Sequence, residues 1–131
     1  MRLGKEDIAD NIIIIKINRS YKPGMSDLQL YDVTRGCWKI SIPYASRADY
    51  ALAVSYGVVE EVYQIFQWYQ ASEEIRETIG YDPEKEKGRI IFRGKKAPEE
   101  IRRKYIGKNV KDLYKRGDAC PARVFMAYRR S

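Results

Sequence analysis

Tyr50–Trp68, YALAVSYGVVEEVYQIFQW, is the stretch that decides the fold. Tyr50, Leu52, Val54 and Tyr56 alternate with Ala51, Ala53 and Ser55, the period-2 pattern of a strand that packs one face and keeps the other small. Gly57 is free to take positive φ, and Val58–Phe66 runs back with β-branched and aromatic residues, so the stretch reads as a hairpin. The pair Glu60-Glu61 breaks the alternation and predicts a bulge, hence a strongly curved hairpin of the kind found in small β-barrels.

Upstream, Asn11–Asn18 (NIIIIKIN) has the unbroken apolar run of a strand buried on both faces, followed by the turn-like Ser20–Gly24. Ser26 with Gln29 three residues on has capping-box form, which predicts a short helix through Leu28, Tyr31 and Asp32 to Arg35-Gly36. Trp38–Ile42 (WKISI) resumes strand spacing, with Pro43 restricting it to a short or edge strand, and Ala45–Asp49 reads as a helical turn. Downstream, residues 69–88 read as a surface excursion with a short helix over Ala71–Ile79 and a solvated loop at Tyr81–Gly88. Arg89–Arg93 (RIIFR) predicts another strand, and Gly94-Lys95-Lys96 a turn into a helix opened by Pro98, with Ile101 and Tyr105 inward and Gly107 at its end. Asn109 suits the cap of a second short helix with Val110, Leu113 and Tyr114 inward, before Gly117 and Pro121 turn the chain into a last strand, Ala122–Tyr128.

With 131 residues the chain is long enough for one core, and the element order is α+β with a β core, read as one domain over 1–131. No apolar run approaches the roughly 20 residues of a membrane helix, and MRLGKEDIADN lacks the apolar centre of a signal peptide, which predicts a soluble cytoplasmic protein with no membrane partner. The chain contains no histidine, so Ser-His and Cys-His nucleophile pairs and histidine metal sites are excluded. Cys37 and Cys120 read as buried free thiols, with a disulfide and half of a metal site as the alternatives. Charge is uneven. Residues 1–86 carry 10 Lys and Arg against 14 Asp and Glu, whereas residues 87–131 carry 15 against 4, a net of +11 that would attract a polyanion.

The segments LYDVTRGCWKIS, YALAVSYGVVEEVYQI and RIIFRGKKAPEEIRRKYIGKNVKDLYKRGDACPARVF together resemble an uncharacterised family of small prokaryotic proteins that is similar to the PUA-like superfamily, with its ASCH, EVE and YTH branches. That resemblance implies a small curved PUA-like β-barrel with short helices at the rim, and RNA or modified-base binding in a pocket at the barrel's edge.

The chemistry of such a pocket selects candidates. Base recognition needs flat aromatic walls and fixed donors, which points to Trp38 beside Arg35, then Tyr31, Tyr44 and Trp68. Trp38 is equally suited to filling one end of a small core, and Trp68 to covering the barrel. Phosphate contacts fall to Arg93, Lys95, Lys96, Arg102, Arg103, Lys104, Lys108 and Lys111. Glu61, if it faces inward, is either a carboxyl of raised pKa or, more commonly, half of a structural ion pair. No second acid completes a catalytic pair, so the expectation is a non-catalytic nucleic-acid-binding module without cofactor or metal, its partner RNA or modified DNA. A metal-dependent nuclease, drawing on the acid-x-Lys run Glu84–Lys87, and a protein-interaction module are the alternatives.

Overall fold

The isoleucine run forms strand β1 (Ile12–Lys16) within a five-stranded mixed sheet. The computed structural model describes residues 1–114 and 120–129. The other strands are β2 (Tyr50–Ser55), β3 (Val58–Gln70), β4 (Ile90–Lys96) and β5 (Ala122–Phe125), in the order β4-β3-β2-β1-β5. β1 is parallel to β2, Ile12 lying opposite Tyr50, and antiparallel to β5; a parallel pair requires a crossover, here residues 17–49. Ile12 and Ile14 enter one core and Ile13 and Ile15 the other, which is why the strand is apolar without interruption.

The hairpin forms as expected, through a two-residue turn in which Tyr56 (φ 47°) and Gly57 (φ 85°) both lie in the left-handed region. Ala53 opposes Glu61 and Val54 opposes Val59, so Glu60 is the extra residue of the expected bulge. A second bulge falls at Phe66, between Ile65 opposite Gly94 and Gln67 opposite Arg93. Gly94 is required there, because a Cβ would stand 2.1 Å from the Gln64 carbonyl oxygen. The small face of β2 is also buried. Ala51 and Ala53 leave room for Ala45 and Ala48 of the layer above them.

That layer consists of helix α1 (Asp27–Arg35), capped reciprocally by Ser26 and Gln29 as its capping box predicts, and the single turn α2 (Ile42–Ala45). On the opposite face Leu3, Ile8, Val110 and Leu113 pack with Ile101 and Tyr105 of α4 (Glu99–Tyr105). Pro98 caps α4, and Asn109 Oδ1 accepts the Lys111 N–H at 2.9 Å to open a 3-10 turn over Lys111–Leu113. Helix α3 (Pro83–Glu86) lies in the segment expected to be a loop, its first turn capped by Asp82. No described helix is long and apolar enough to cross a membrane.

Several expectations change. Among the described residues β4 and β5 are opposite edges of an open sheet, so no closed barrel is formed. β5 has only four residues, and the outer edge of β4 is already occupied by α1 and Trp38. WKISI is not a strand. Trp38 makes one isolated antiparallel bridge to Ile90, and Ser41 Oγ accepts the Tyr44 N–H at 3.2 Å, turning Ile42 and Pro43 into the start of α2. Ala71–Ile79 is a set of turns rather than a helix, held by contacts to α1 described below. Gly94–Lys96 continues β4, and the last strand ends at Phe125 instead of Tyr128. Gly117 lies outside the described residues.

Candidate nucleic-acid interface

Three of the five expected pocket residues stand in a row along the outer edge of β4. Trp38 and Ile90 exchange two backbone hydrogen bonds of 2.9 Å, Arg35 Nε donates to the Phe92 carbonyl at 3.0 Å, and the Gly94 N–H donates to the Tyr31 hydroxyl at 2.9 Å. Residues 90, 92 and 94 are alternate positions of an edge strand, and Tyr31 and Arg35 are one helical turn apart, so α1 covers the polar groups that an edge leaves open. Arg35 is spent entirely inside the protein. It is 4% exposed, donates to Glu74 at 2.6 Å, lies 3.5 Å from Asp32 and stacks on the Tyr31 ring at 4.7 Å. The donor expected at the base pocket is thus buried within the fold.

Trp38 is half-buried, and its indole N–H closes the Thr34 carbonyl at the end of α1 at 2.8 Å. Tyr44 serves the other edge, its hydroxyl accepting the Val124 N–H of β5 at 2.8 Å. Trp68 is buried, with its ring centroid 5.3 Å from that of Phe92. These five residues do not converge on one pocket. Gly36 ends α1 as expected. Its backbone is extended, and its missing side chain admits Ile91, whose Cγ1 would be 2.7 Å from a Cβ.

The same region anchors the excursion after β3. Asp32, fully buried, accepts from Thr78 N and Oγ1, each at 2.7 Å; Arg76 donates to the Gly36 carbonyl at 2.8 Å and pairs with Glu86. Desolvation opposes ionisation of Glu86, but the Asp82 N–H, the Cys37 thiol and Arg76 outweigh it and hold its carboxyl below the ordinary value. Cys37 is a buried thiol pushed up to about 11 by burial, and Cys120, half-buried, donates to the Ala122 carbonyl at 3.1 Å; neither is in a disulfide. Among the described residues no three Cys, Asp or Glu side chains gather as a metal site.

The expected phosphate contacts divide into two groups. Arg102 holds Glu61 at 2.8 and 3.2 Å, Lys96 lies 3.0 Å from Asp27 and 3.7 Å from Glu61, Arg103 pairs with Glu99 and Lys104 with Asp10. Glu61 is thus the structural ion pair, and its hydrogen bonds raise the pKa of Arg102. Lys108 reaches Met1 Sδ at 3.5 Å, and Lys111 lies along Gly57. Each cation of α4 is therefore paired with a carboxylate, Glu99 within the helix and Glu61 and Asp10 distant in sequence. Arg93, Lys95 and Lys111 are exposed and without an ion-pair partner among the described residues, and of these Arg93 and Lys95 stand together on β4.

Cross-strand pairing places Arg93 beside Gln67 and Lys95 beside Gln64, on one face of the sheet. Phe66, 57% exposed at the second bulge, has the Lys95 ammonium 6.0 Å from its ring centroid and borders a depression shared with Ile42, Ser46 and Ala48. On the other face of β4, Gly94 and Lys96 border a cleft of about 280 Å³ walled by Leu28, Tyr31 and Tyr63, with Lys95 at its rim. The two tyrosine rings are 5.4 Å apart at 51°. Sequence reasoning missed Phe66 and Tyr63 as site residues. The second break in alternation, at Ile65-Phe66-Gln67, was the available signal for Phe66.

Compared with known proteins, no family model, curated protein or solved structure matches the chain.

Proposed function

We propose that this protein is a non-catalytic nucleic-acid-binding module that holds single-stranded RNA, or a strand carrying a modified base, on the outer end of β3 and β4. The observation that carries the reading is Phe66, exposed at the second bulge beside Arg93 and Lys95, two exposed cations without an ion-pair partner among the described residues. An exposed ring stacks on any base, and adjacent cations take the flanking phosphates; the two functions together make a sequence-tolerant single-strand platform. The usual role of Lys on an edge strand is to discourage sheet-to-sheet pairing, which would explain Lys95 but not an exposed Phe66 beside it. The proposal includes a PUA-like relationship and a cytoplasmic site of action; the doubly bulged hairpin supports the former.

The test is fluorescence anisotropy of labelled single-stranded RNA at about 50 and 200 mM salt. For Arg93→Ala/Lys95→Ala, the log-log salt slope should become shallower by about 1.4, since each lost single-strand phosphate contact contributes about 0.7. Phe66→Ala should weaken binding at both salts, by roughly fivefold or more, without changing that slope. Unchanged affinity and slope in both variants would refute the reading.

A further inference from the structure

β3 and β4 are antiparallel neighbours that a short turn could join, yet residues 71–89 separate them. The Ala71 N–H donates to the Arg89 carbonyl at 2.9 Å, so the ladder closes behind the excursion. No side chain of residues 72–88 belongs to either apolar core. Connections of this length inside a compact domain are uncommon, and most are either disordered or functional. This one is pinned.

Its anchors are polar and meet the end of α1. Glu74 accepts from Arg35 at 2.6 Å, Arg76 donates to the Gly36 carbonyl at 2.8 Å, and the Thr78 N–H and hydroxyl each donate to Asp32 at 2.7 Å. Arg76 also donates to the Gly80 carbonyl at 3.1 Å and pairs with Glu86. Asp32, Arg35 and Arg76 are thereby buried as charged groups, and the Arg76 Nε has no partner among the described residues. Such burial is costly, and the excursion adds nothing to the cores to offset it. What the anchors do is fix the residues between them. Ile75 and Ile79 are 59% and 50% exposed. Glu73, which accepts the Gln70 N–H at 3.0 Å, and Glu77 are exposed beside them without an ion-pair partner among the described residues. Because Glu74 and Arg76 are already paired, the charge left around the two isoleucines is negative.

We infer that the stripe Glu73–Ile79 docks a segment of a partner protein in which Lys or Arg alternates with aliphatic side chains. Ile75 and Ile79 supply the apolar contact, and Glu73 and Glu77 select the cations. The same carboxylates repel phosphate, so this surface is distinct from the proposed nucleic-acid face and does not depend on it. Two isoleucines make a small patch, which suits a transient contact. Pinning the stripe in advance removes the cost of ordering it when the partner arrives.

The experiment titrates the full chain, isotopically labelled, with an acetylated peptide of alternating Lys and Leu; Lys-Ser and Glu-Leu peptides of the same length are the controls. The expected result is saturable binding of the Lys-Leu peptide, with amide NMR shifts centred on Glu73–Gly80 and neither control binding there. Ile75→Ser/Ile79→Ser changes exposed positions only, so it should melt like the parent and bind the peptide about tenfold or more weakly. Glu73→Gln/Glu77→Gln should weaken binding more at about 50 mM salt than at about 200 mM. Arg76→Met/Glu86→Gln removes an anchor without stranding a charge; it should speed amide exchange in the excursion and weaken the peptide although both isoleucines remain. No binding at millimolar peptide, equal binding of either control, or an affinity left unchanged by the isoleucine or the anchor variant would overturn the inference. So would dimerisation of the parent that is lost in Ile75→Ser/Ile79→Ser, which would make a second copy of the chain the occupant.

Discussion

Replacing Arg35 with alanine separates a scaffold role from a ligand role at the residue that sequence reasoning placed in the pocket. The side chain is 4% exposed and donates to the Phe92 carbonyl at 3.0 Å and to Glu74 at 2.6 Å, with Asp32, fully buried, at 3.5 Å. Removing it leaves a buried carboxylate without its cation, which costs about 3–5 kcal/mol, and deprives an edge carbonyl of its donor, about 1–3 kcal/mol more. Relaxation is shared between these losses, so a total near 4–6 kcal/mol is expected, a large part of the stability of a domain this size. Urea denaturation followed by tryptophan fluorescence measures it, and the thermal midpoint should fall by roughly 10–20 °C. Adding Asp32→Asn should recover at least about 1 kcal/mol by removing the stranded charge. A loss below about 1 kcal/mol, accompanied by weakened base binding, would refute this account of Arg35 and return it to the ligand.

Two further outcomes follow from the contacts beneath the excursion. In a Cys120→Ser background, Cys37 should react with a thiol reagent at pH 8 at least about a hundredfold more slowly than a free cysteine, because a thiol at about 11 is almost wholly protonated there; equal rates in native and unfolded protein would contradict its burial. Glu86 has a depressed pKa, so its stabilising contribution is complete above the ordinary glutamate value and is lost as the pH falls through the folded value. The stability gap between the parent and Glu86→Gln should therefore be widest near neutrality and narrow only once the pH falls below the ordinary glutamate value; a gap independent of pH would show that Glu86 is not held ionised by Arg76.

The elements read correctly from the sequence are those whose signals are local. The isoleucine run, the Gly57 turn with its bulge, the Ser26 capping box and the Pro98 helix start each depend on neighbours within a few residues. WKISI failed because five alternating residues also describe an N-cap, Ser41, leading into a proline-containing first turn, and periodicity over so short a span does not separate the two. The site was harder to read for a tertiary reason. Tyr31, Arg35 and Trp38 have the chemistry of base recognition, but β4 is an edge strand and claims their polar groups. The basic helix lost its apparent charge to Asp10 and Glu61, which no reading of residues 87–131 alone could supply. Of the expected phosphate face, Arg93, Lys95 and Lys111 stay exposed without an ion-pair partner among the described residues, and strand alternation puts Arg93 and Lys95 on one face of β4.

The central claim is that the outer end of β3 and β4 is where nucleic acid binds. Titrating isotopically labelled protein with a short single-stranded RNA and mapping backbone amide shifts tests it most directly. Shifts should be concentrated at Gln64–Trp68 and Phe92–Lys96, and abolished at those positions by Arg93→Ala/Lys95→Ala while the spectrum stays that of a folded protein. Shifts centred instead on Arg102–Lys104, or no shifts at RNA concentrations well above those of the protein, would contradict it.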